Sequence, residues 1–131
     1  MLTIGICGAS GSGKTTLAEA LCDQIEGRAV LINQDAYYRD HPHLSFAERE
    51  QLNYDEPGIF EHDQLLEDVK TIKAGGTFPR KAYDFANHCR ADTDEPVFPG
   101  DVLIIEGIHT FYDARLREEM DFKIYVSVDP D

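Results

Sequence analysis

The residues best suited to chemistry come first in the chain. Gly8-Ala9-Ser10-Gly11-Ser12-Gly13-Lys14-Thr15 fits the pattern G-x-x-x-x-G-K-[ST] at every position, and Thr16 extends it. Small residues let successive backbone N–H groups turn inward around phosphate oxygens. A helix starting near Lys14 would aim its positive end at the same oxygens. The Lys14 ammonium can reach the β and γ phosphates of ATP, and the Thr15 hydroxyl can ligate Mg2+. A chance match in a chain of this length has a probability on the order of a percent, given ordinary glycine usage.

Two acids could complete such a site. Glu106 ends the apolar run Val102-Leu103-Ile104-Ile105 and precedes Gly107. A carboxylate at the tip of a buried strand can hold Mg2+ directly or through its water, although a solvated acid would also sit there. Asp35 follows the apolar run Ala29 to Asn33. Phosphoryl transfer to a hydroxyl needs a carboxylate to take its proton. By itself Asp35 reads more often as a turn or helix cap than as a base.

The elements that would position these residues follow from periodicity. Leu2 to Cys7 reads as a buried strand entering the glycine-rich turn. Leu17, Leu21 and Ile25 recur at helical spacing, with Gly27 as the stop. Ala29 to Asn33 is a second strand. The polar stretch Gln34 to Gly58 has the character of a binding region, with a short helix near Ser45 to Leu52. His62 to Lys73 is an amphipathic helix with Leu65, Leu66, Val69 and Ile72 on one face. Thr77 to Ala82 and Glu95 to Phe98 read as a small β excursion. Val102 to Glu106 is the central strand, a helix spans about Asp113 to Met120, and Phe122 to Val128 is the last strand. Strands alternating with helices predict one α/β domain with a parallel sheet of the P-loop NTPase type, its loops gathered along one edge.

Composition sets limits. The chain has 131 residues, enough for one compact domain, and a formal charge of −13. That acidity speaks against a nucleic acid partner and gives no general attraction for ATP, so cations must act locally, with Lys14, Arg80, Lys81 and Arg90 as candidates. No apolar run is long enough to cross a membrane, and no secretory signal is visible before the phosphate loop. The three cysteines (Cys7, Cys22 and Cys89) lack metal-site spacing and read as reduced thiols of a cytoplasmic protein.

Further motifs carry a resemblance. The phosphate loop, Gln34-Asp35-Ala36-Tyr37-Tyr38, Asn53-Tyr54-Asp55, Tyr83-Asp84-Phe85-Ala86-Asn87-His88-Cys89-Arg90 and Asp101 to Ile108 follow one another as in the uridine kinase family. The sequence resembles that family over nearly its whole length, and the Tyr-Asp-Phe-x-x-His-x-Arg segment is the discriminating part. The resemblance implies transfer of the γ-phosphoryl of ATP to the 5′-hydroxyl of uridine or cytidine. It makes Asp35 the general base and Asp55 the carboxylate that holds the ribose hydroxyls. It makes Tyr83 and His88 base-recognising residues and Arg90 a positive charge near the substrate site. Tyr38, Tyr54 and Phe85 would wall a flat ring. Tyr54 and Phe85 also suit a core, and His88 and Arg90 an ordinary surface.

Two departures bear on this expectation. The family often has proline before the Val-Tyr-Asp triplet, where this chain reads Arg80-Lys81-Ala82-Tyr83-Asp84, so base preference could differ. The family also continues past the last strand into an arginine-bearing lid, a helix and a fifth strand, whereas this sequence stops at Asp131. Arg115 and Arg117, on the preceding helix, are poor substitutes for lid arginines. Two alternatives therefore stand beside the nucleoside kinase. One is a P-loop kinase of another small hydroxyl acceptor, as in phosphoribulokinase or pantothenate kinase. The other is a module that binds MgATP without turnover. A homo-oligomer is left open.

Overall fold

The computed structural model of the chain describes residues 1–9 and 11–127. Its centre is a sheet of four parallel strands: β1 (Leu2–Gly8), β2 (Ala29–Asn33), β7 (Val102–Gly107) and β8 (Phe122–Val126), in the order β2-β7-β1-β8. All neighbours pair in parallel, with Ile4 opposite both Ile104 and Phe122. Helix α1 (Lys14–Gln24) connects β1 to β2, and α3 (His62–Lys73) lies on the way to β7.

Strand β7 explains the architecture. Every one of its six residues is buried, because strands flank it on both sides and helices cover both faces. Side chains alternate across the pleat. Leu103 and Ile105 join Leu65, Leu66, Val69 and Ile72 of α3 in the larger core. Val102 and Ile104 face the other way and meet Ile6, Ala18 and Leu17. The apolar run that reads as a central strand is thus buried twice over.

The helices end where capping and tertiary demands meet. Ser45 caps α2 (Phe46–Glu50) in a reciprocal capping box with Glu48. The last helix, α4 (Ala114–Arg117), is shorter than its periodicity predicts. After it, Glu119 N–H donates to Leu116 and Met120 N–H to Arg117, so the chain tightens into i→i+3 turns. That turn buries Met120 and lets Asp121 pair with Thr3, N–H to O at 2.8 Å and carboxylate to N–H at 2.8 Å. The contact anchors β8 beside β1.

The β excursion is smaller than expected and contains a hairpin that the alternation of residues does not reveal. Strands β3 (Phe78–Pro79) and β6 (Pro96–Val97) pair for two residues, with Pro79 opposite Pro96. Two prolines facing each other supply no donor, which limits the ladder. Strands β4 (Tyr83–Asp84) and β5 (Cys89–Arg90) form the hairpin, closed by Asp84 Oδ1, which accepts the N–H of Ala86 and Asn87. His88 sits at φ 51 in this turn. The last strand runs from Phe122 to Val126; Val128, included in the expected strand, lies outside the described residues, as does Ser10 of the phosphate loop. Among the described residues no helix is long and apolar enough to cross a membrane.

Candidate active site

The donor side is built by one stretch of chain. Gly11 and Gly13 take φ of 78° and 89°, a region that other residues enter at a cost. A Cβ on Gly8 would come within 2.7 Å of both Ser12 Oγ and the Val126 carbonyl, so glycine is required for close approach there as well. Gly13 occupies the N-cap of α1 and supplies no side-chain acceptor, which leaves the first N–H groups of the helix open to an anion. Ser12 Oγ is buried without a partner. Lys14 is only 7% exposed, and its charge favours ionisation of both Asp35 and Glu106. Open amides, an orphaned hydroxyl and a buried ammonium together form a cradle that fits a phosphate chain.

Thr15 follows on the same turn. Its Oγ1 donates to Glu106 Oε2 at 3.4 Å, joining the phosphate loop to the end of β7. A hydroxyl and a carboxylate are the oxygen donors that Mg2+ takes. Among the described residues no group of three or more His, Cys, Asp or Glu could hold a metal. Burial pushes the Glu106 carboxyl up, and the nearby charge of Asp35 adds to this, while Lys14 and Thr15 pull it down.

Asp35 lies in a single 3-10 turn, Gln34–Tyr37, directly after β2. Burial raises its carboxyl above the usual aspartate range, and Lys14 partly offsets this. A cleft of about 260 Å³ brings Asp35 together with Thr15, Glu106, Tyr83 and Phe85. A second cleft, of about 410 Å³, joins Gly8 and Ala9 to Asp55, Ile108 and His109. Asp35 and Glu106 thus line one cleft with Thr15, and Asp55 lines another with Gly8 and Ala9.

An aromatic cluster closes the far wall. Tyr38 stacks on Phe60 at 4.5 Å and meets Tyr83 at 5.1 Å, Tyr54 at 5.3 Å and Phe85 at 6.1 Å. Its hydroxyl donates to the Tyr54 carbonyl at 3.3 Å. Tyr83 is buried and donates to the Tyr54 hydroxyl at 3.4 Å. His88 stacks on Tyr54 at 5.3 Å and touches Phe46, so its ring is a lateral part of this wall. Phe85, 58% exposed, lines the cleft and packs edge-on against Tyr83 at 5.2 Å.

Arg90 is placed differently from the other candidates. Its guanidinium donates to Asp92, the Tyr38 carbonyl and Gln64. It supports the aromatic wall from behind and lines neither cleft. Arg115 pairs with Asp63 and Asp113, and Arg117 donates to the carbonyls of Phe111 and Tyr112, so both are occupied away from the phosphate loop.

The family model described as phosphoribulokinase / uridine kinase matches residues 3–131. The chain belongs to this family. A uridine kinase of Staphylococcus aureus (strain JH9) is 46% identical over 129 residues, which cover 98% of this chain and 62% of the relative. The chain thus spans 62% of that relative's length. Two solved structures share the fold. One from Silicibacter sp. TM1040, carrying a fructose transport system kinase designation, gives a TM-score of 0.76 at 23% identity over 95% of this chain and 64% of that one. A structure described as a possible uridine kinase from Bacillus stearothermophilus gives 0.69 at 23% identity, covering 95% and 69%.

Within this family frame, two polar residues that sequence reasoning passed over stand out. Gln34 is fully buried, and its Oε1 accepts the N–H of His109 at 2.8 Å. His109 Nε2 lies 2.5 Å from the Asp55 carbonyl oxygen, and since a carbonyl only accepts, the ring donates there. The available signal was position: His109 is three residues beyond Glu106, in the loop after the central strand.

Proposed function

We propose that the chain carries the phosphate-binding and acceptor-binding core of a nucleoside kinase that moves the γ-phosphoryl of ATP to the 5′-hydroxyl of uridine or cytidine. One observation supports this most: Thr15, Glu106, Asp35, Tyr83 and Phe85 share a single cleft at the edge of the phosphate loop. A metal-type donor pair, a buried carboxylate and an aromatic surface for a flat ring then stand side by side.

In this reading the Lys14 ammonium and the amides of Gly11, Gly13 and Lys14 bind the phosphate chain of ATP, while the Ser12 N–H donates to the Ala9 carbonyl at 3.1 Å. Thr15 and Glu106 would hold Mg2+, which neutralises charge on the phosphate oxygens. Asp35 accepts the proton of the 5′-hydroxyl as its oxygen bonds to the γ phosphorus and the bond to the β-phosphate oxygen breaks, releasing ADP. The raised carboxyl makes Asp35 a stronger base than a solvated aspartate. Asp55 orients the ribose hydroxyls, and Tyr38, Tyr54, Tyr83, Phe85 and His88 flank the base, with Arg90 fixing the wall. Such a reaction belongs to pyrimidine salvage, and the free state of Cys7, Cys22 and Cys89 fits a cytoplasmic setting.

The test is a turnover panel of uridine, cytidine, ribulose 5-phosphate and pantothenate with MgATP, alongside calorimetry of ATP. Uridine or cytidine is expected to be phosphorylated. Activity confined to a non-nucleoside, or ATP binding without turnover of any acceptor, would sink the proposal.

A further inference from the structure

The loop that carries Asp55 has little structure of its own. Its amides are satisfied locally: Asp55 N–H donates to Asn53 Oδ1 at 3.0 Å, Glu56 N–H to the Asn53 carbonyl at 3.3 Å and Ile59 N–H to the Glu56 carbonyl at 3.2 Å. Two of its carbonyls are instead held from outside by imidazoles. His62, the first residue of α3, reaches the Pro57 oxygen at 2.6 Å, and His109 reaches the Asp55 oxygen. Both rings pack edge-on against Phe60, at 6.1 Å each. Tyr112 touches both, at 5.4 Å and 6.4 Å.

The two histidines are not equivalent. His62 is a neighbour of the loop in sequence, whereas His109 is 54 residues away from Asp55 and sits on a stiff mount. Thr110 Oγ1 donates to the Ile6 carbonyl at 2.9 Å, and Cys7 Sγ donates to the Ile108 carbonyl at 3.3 Å, so the mount is pinned to β1 on both sides of His109. The backbone N–H of His109 is in turn bonded to Gln34, the residue before Asp35. Gly107 permits this approach, since a Cβ there would run into the Gln34 side chain. A single residue thus touches the turn bearing one acid through its main chain and the loop bearing the other through its ring.

We propose that His109 is the positioning residue of the acceptor side: it fixes the Asp55 loop against the Asp35 turn, so that the ribose-binding carboxylate and the proton-accepting carboxylate keep a set separation. The inference rests on the acceptor role given to Asp55 under the proposed function. His109 itself takes no part in bond making. Its effect is to reduce the number of conformations that the loop must give up when the acceptor binds.

The experiment compares His109→Phe, which keeps a ring against Phe60 and Tyr112 but cannot donate, with His109→Gln, whose amide can donate to the Asp55 carbonyl. In the Phe variant, hydrogen exchange at Asp55, Glu56 and Ile59 should quicken without ligand. KM for the nucleoside should rise roughly tenfold, the scale of one lost hydrogen bond, while KM for ATP stays unchanged. The Gln variant should recover most of both. Unchanged exchange in His109→Phe overturns the proposal, as does a looser loop with an unaltered nucleoside KM, or an equal rise in both KM values. A wild-type chain that phosphorylates no nucleoside counts against the phosphotransfer reading alone, and the exchange comparison then decides the role of His109.

Discussion

The donor and acceptor sides of the cleft are made in opposite ways. The donor side comes from one stretch of sequence, Gly8 to Thr16, whose described residues are set by glycine torsions and the start of α1. The residues assigned to the acceptor, Asp35, Asp55 and Tyr83, come from three separate segments. These segments are held by long-range contacts such as Tyr38 to Tyr54, Gln34 to His109 and His109 to Asp55. A locally encoded phosphate cradle should tolerate changes elsewhere in the molecule, while the acceptor side should be sensitive to anything that shifts one loop against another. Under the proposed function, mutations should therefore separate binding of ATP from binding of the acceptor.

The sharpest break of this comparison is at Asp35, to which the proposed reaction gives the proton of the attacking hydroxyl. Asp35→Asn should lower kcat by between about 10² and 10⁴ with little change in either KM, because general bases contribute on that scale. Steady-state kinetics with both substrates varied measures it, and near-normal turnover removes the assignment. Lys14→Ala attacks the donor side. A loss of about 10² to 10³ in kcat/KM for ATP is expected, as for other removed donors to developing phosphate charge. Acceptor KM that rises in parallel would show the two sides to be coupled after all.

Asp55→Ala tests the acceptor side alone. KM for the nucleoside should rise between about tenfold and a hundredfold, the scale of hydrogen bonds to a charged group, with ATP binding by calorimetry unchanged. Weakened ATP binding would break the division.

The pH dependence gives a smaller effect with a definite sign. Asp35 must be ionised to take a proton, so kcat/KM falls as pH drops through its pKa. Burial raises that carboxyl, so the acid limb should lie above the ordinary aspartate value of about 3.9. The same raised groups, Asp35 and Glu106, favour the folded state most below the ordinary carboxylate pKa values, and that contribution is lost as pH rises through the raised ones. A limb at or below the ordinary value refutes the assignment of Asp35 as the titrating base. The smallest change expected is at Tyr37, whose hydroxyl donates to Asp68 at 2.6 Å in the core, away from both clefts. Tyr37→Phe should cost about 1 kcal/mol in a urea melt and leave both KM values alone, because Asp68 keeps Lys81 at 3.1 Å.

Legibility in the sequence follows the same division. The phosphate loop, β2, α3 and the run of β7 are readable because periodicity and glycine placement act over a few neighbouring residues. Helix α3 falls on His62–Lys73 as its apolar spacing predicts. The shortened α4 and the hairpin of β4 and β5 are not readable, since Met120 ends its turn to fill a distant space and the hairpin depends on an aspartate turn. The aromatic and acidic residues of the acceptor side are recognisable only as a pattern in order along the chain. Their mutual geometry is not.

The sequence alone determined the α/β class, the strand–loop–helix of the glycine-rich motif and the acids at or just past the ends of two strands, because each depends on torsions and burial within one element. Tertiary structure decided which of these meet. It turned Arg90 to the back of the wall, brought Thr15 within 3.4 Å of Glu106 and seated His109 between two loops. Such contacts join residues far apart in the chain, and no local preference specifies them; the packing of strands on both sides of β7 does.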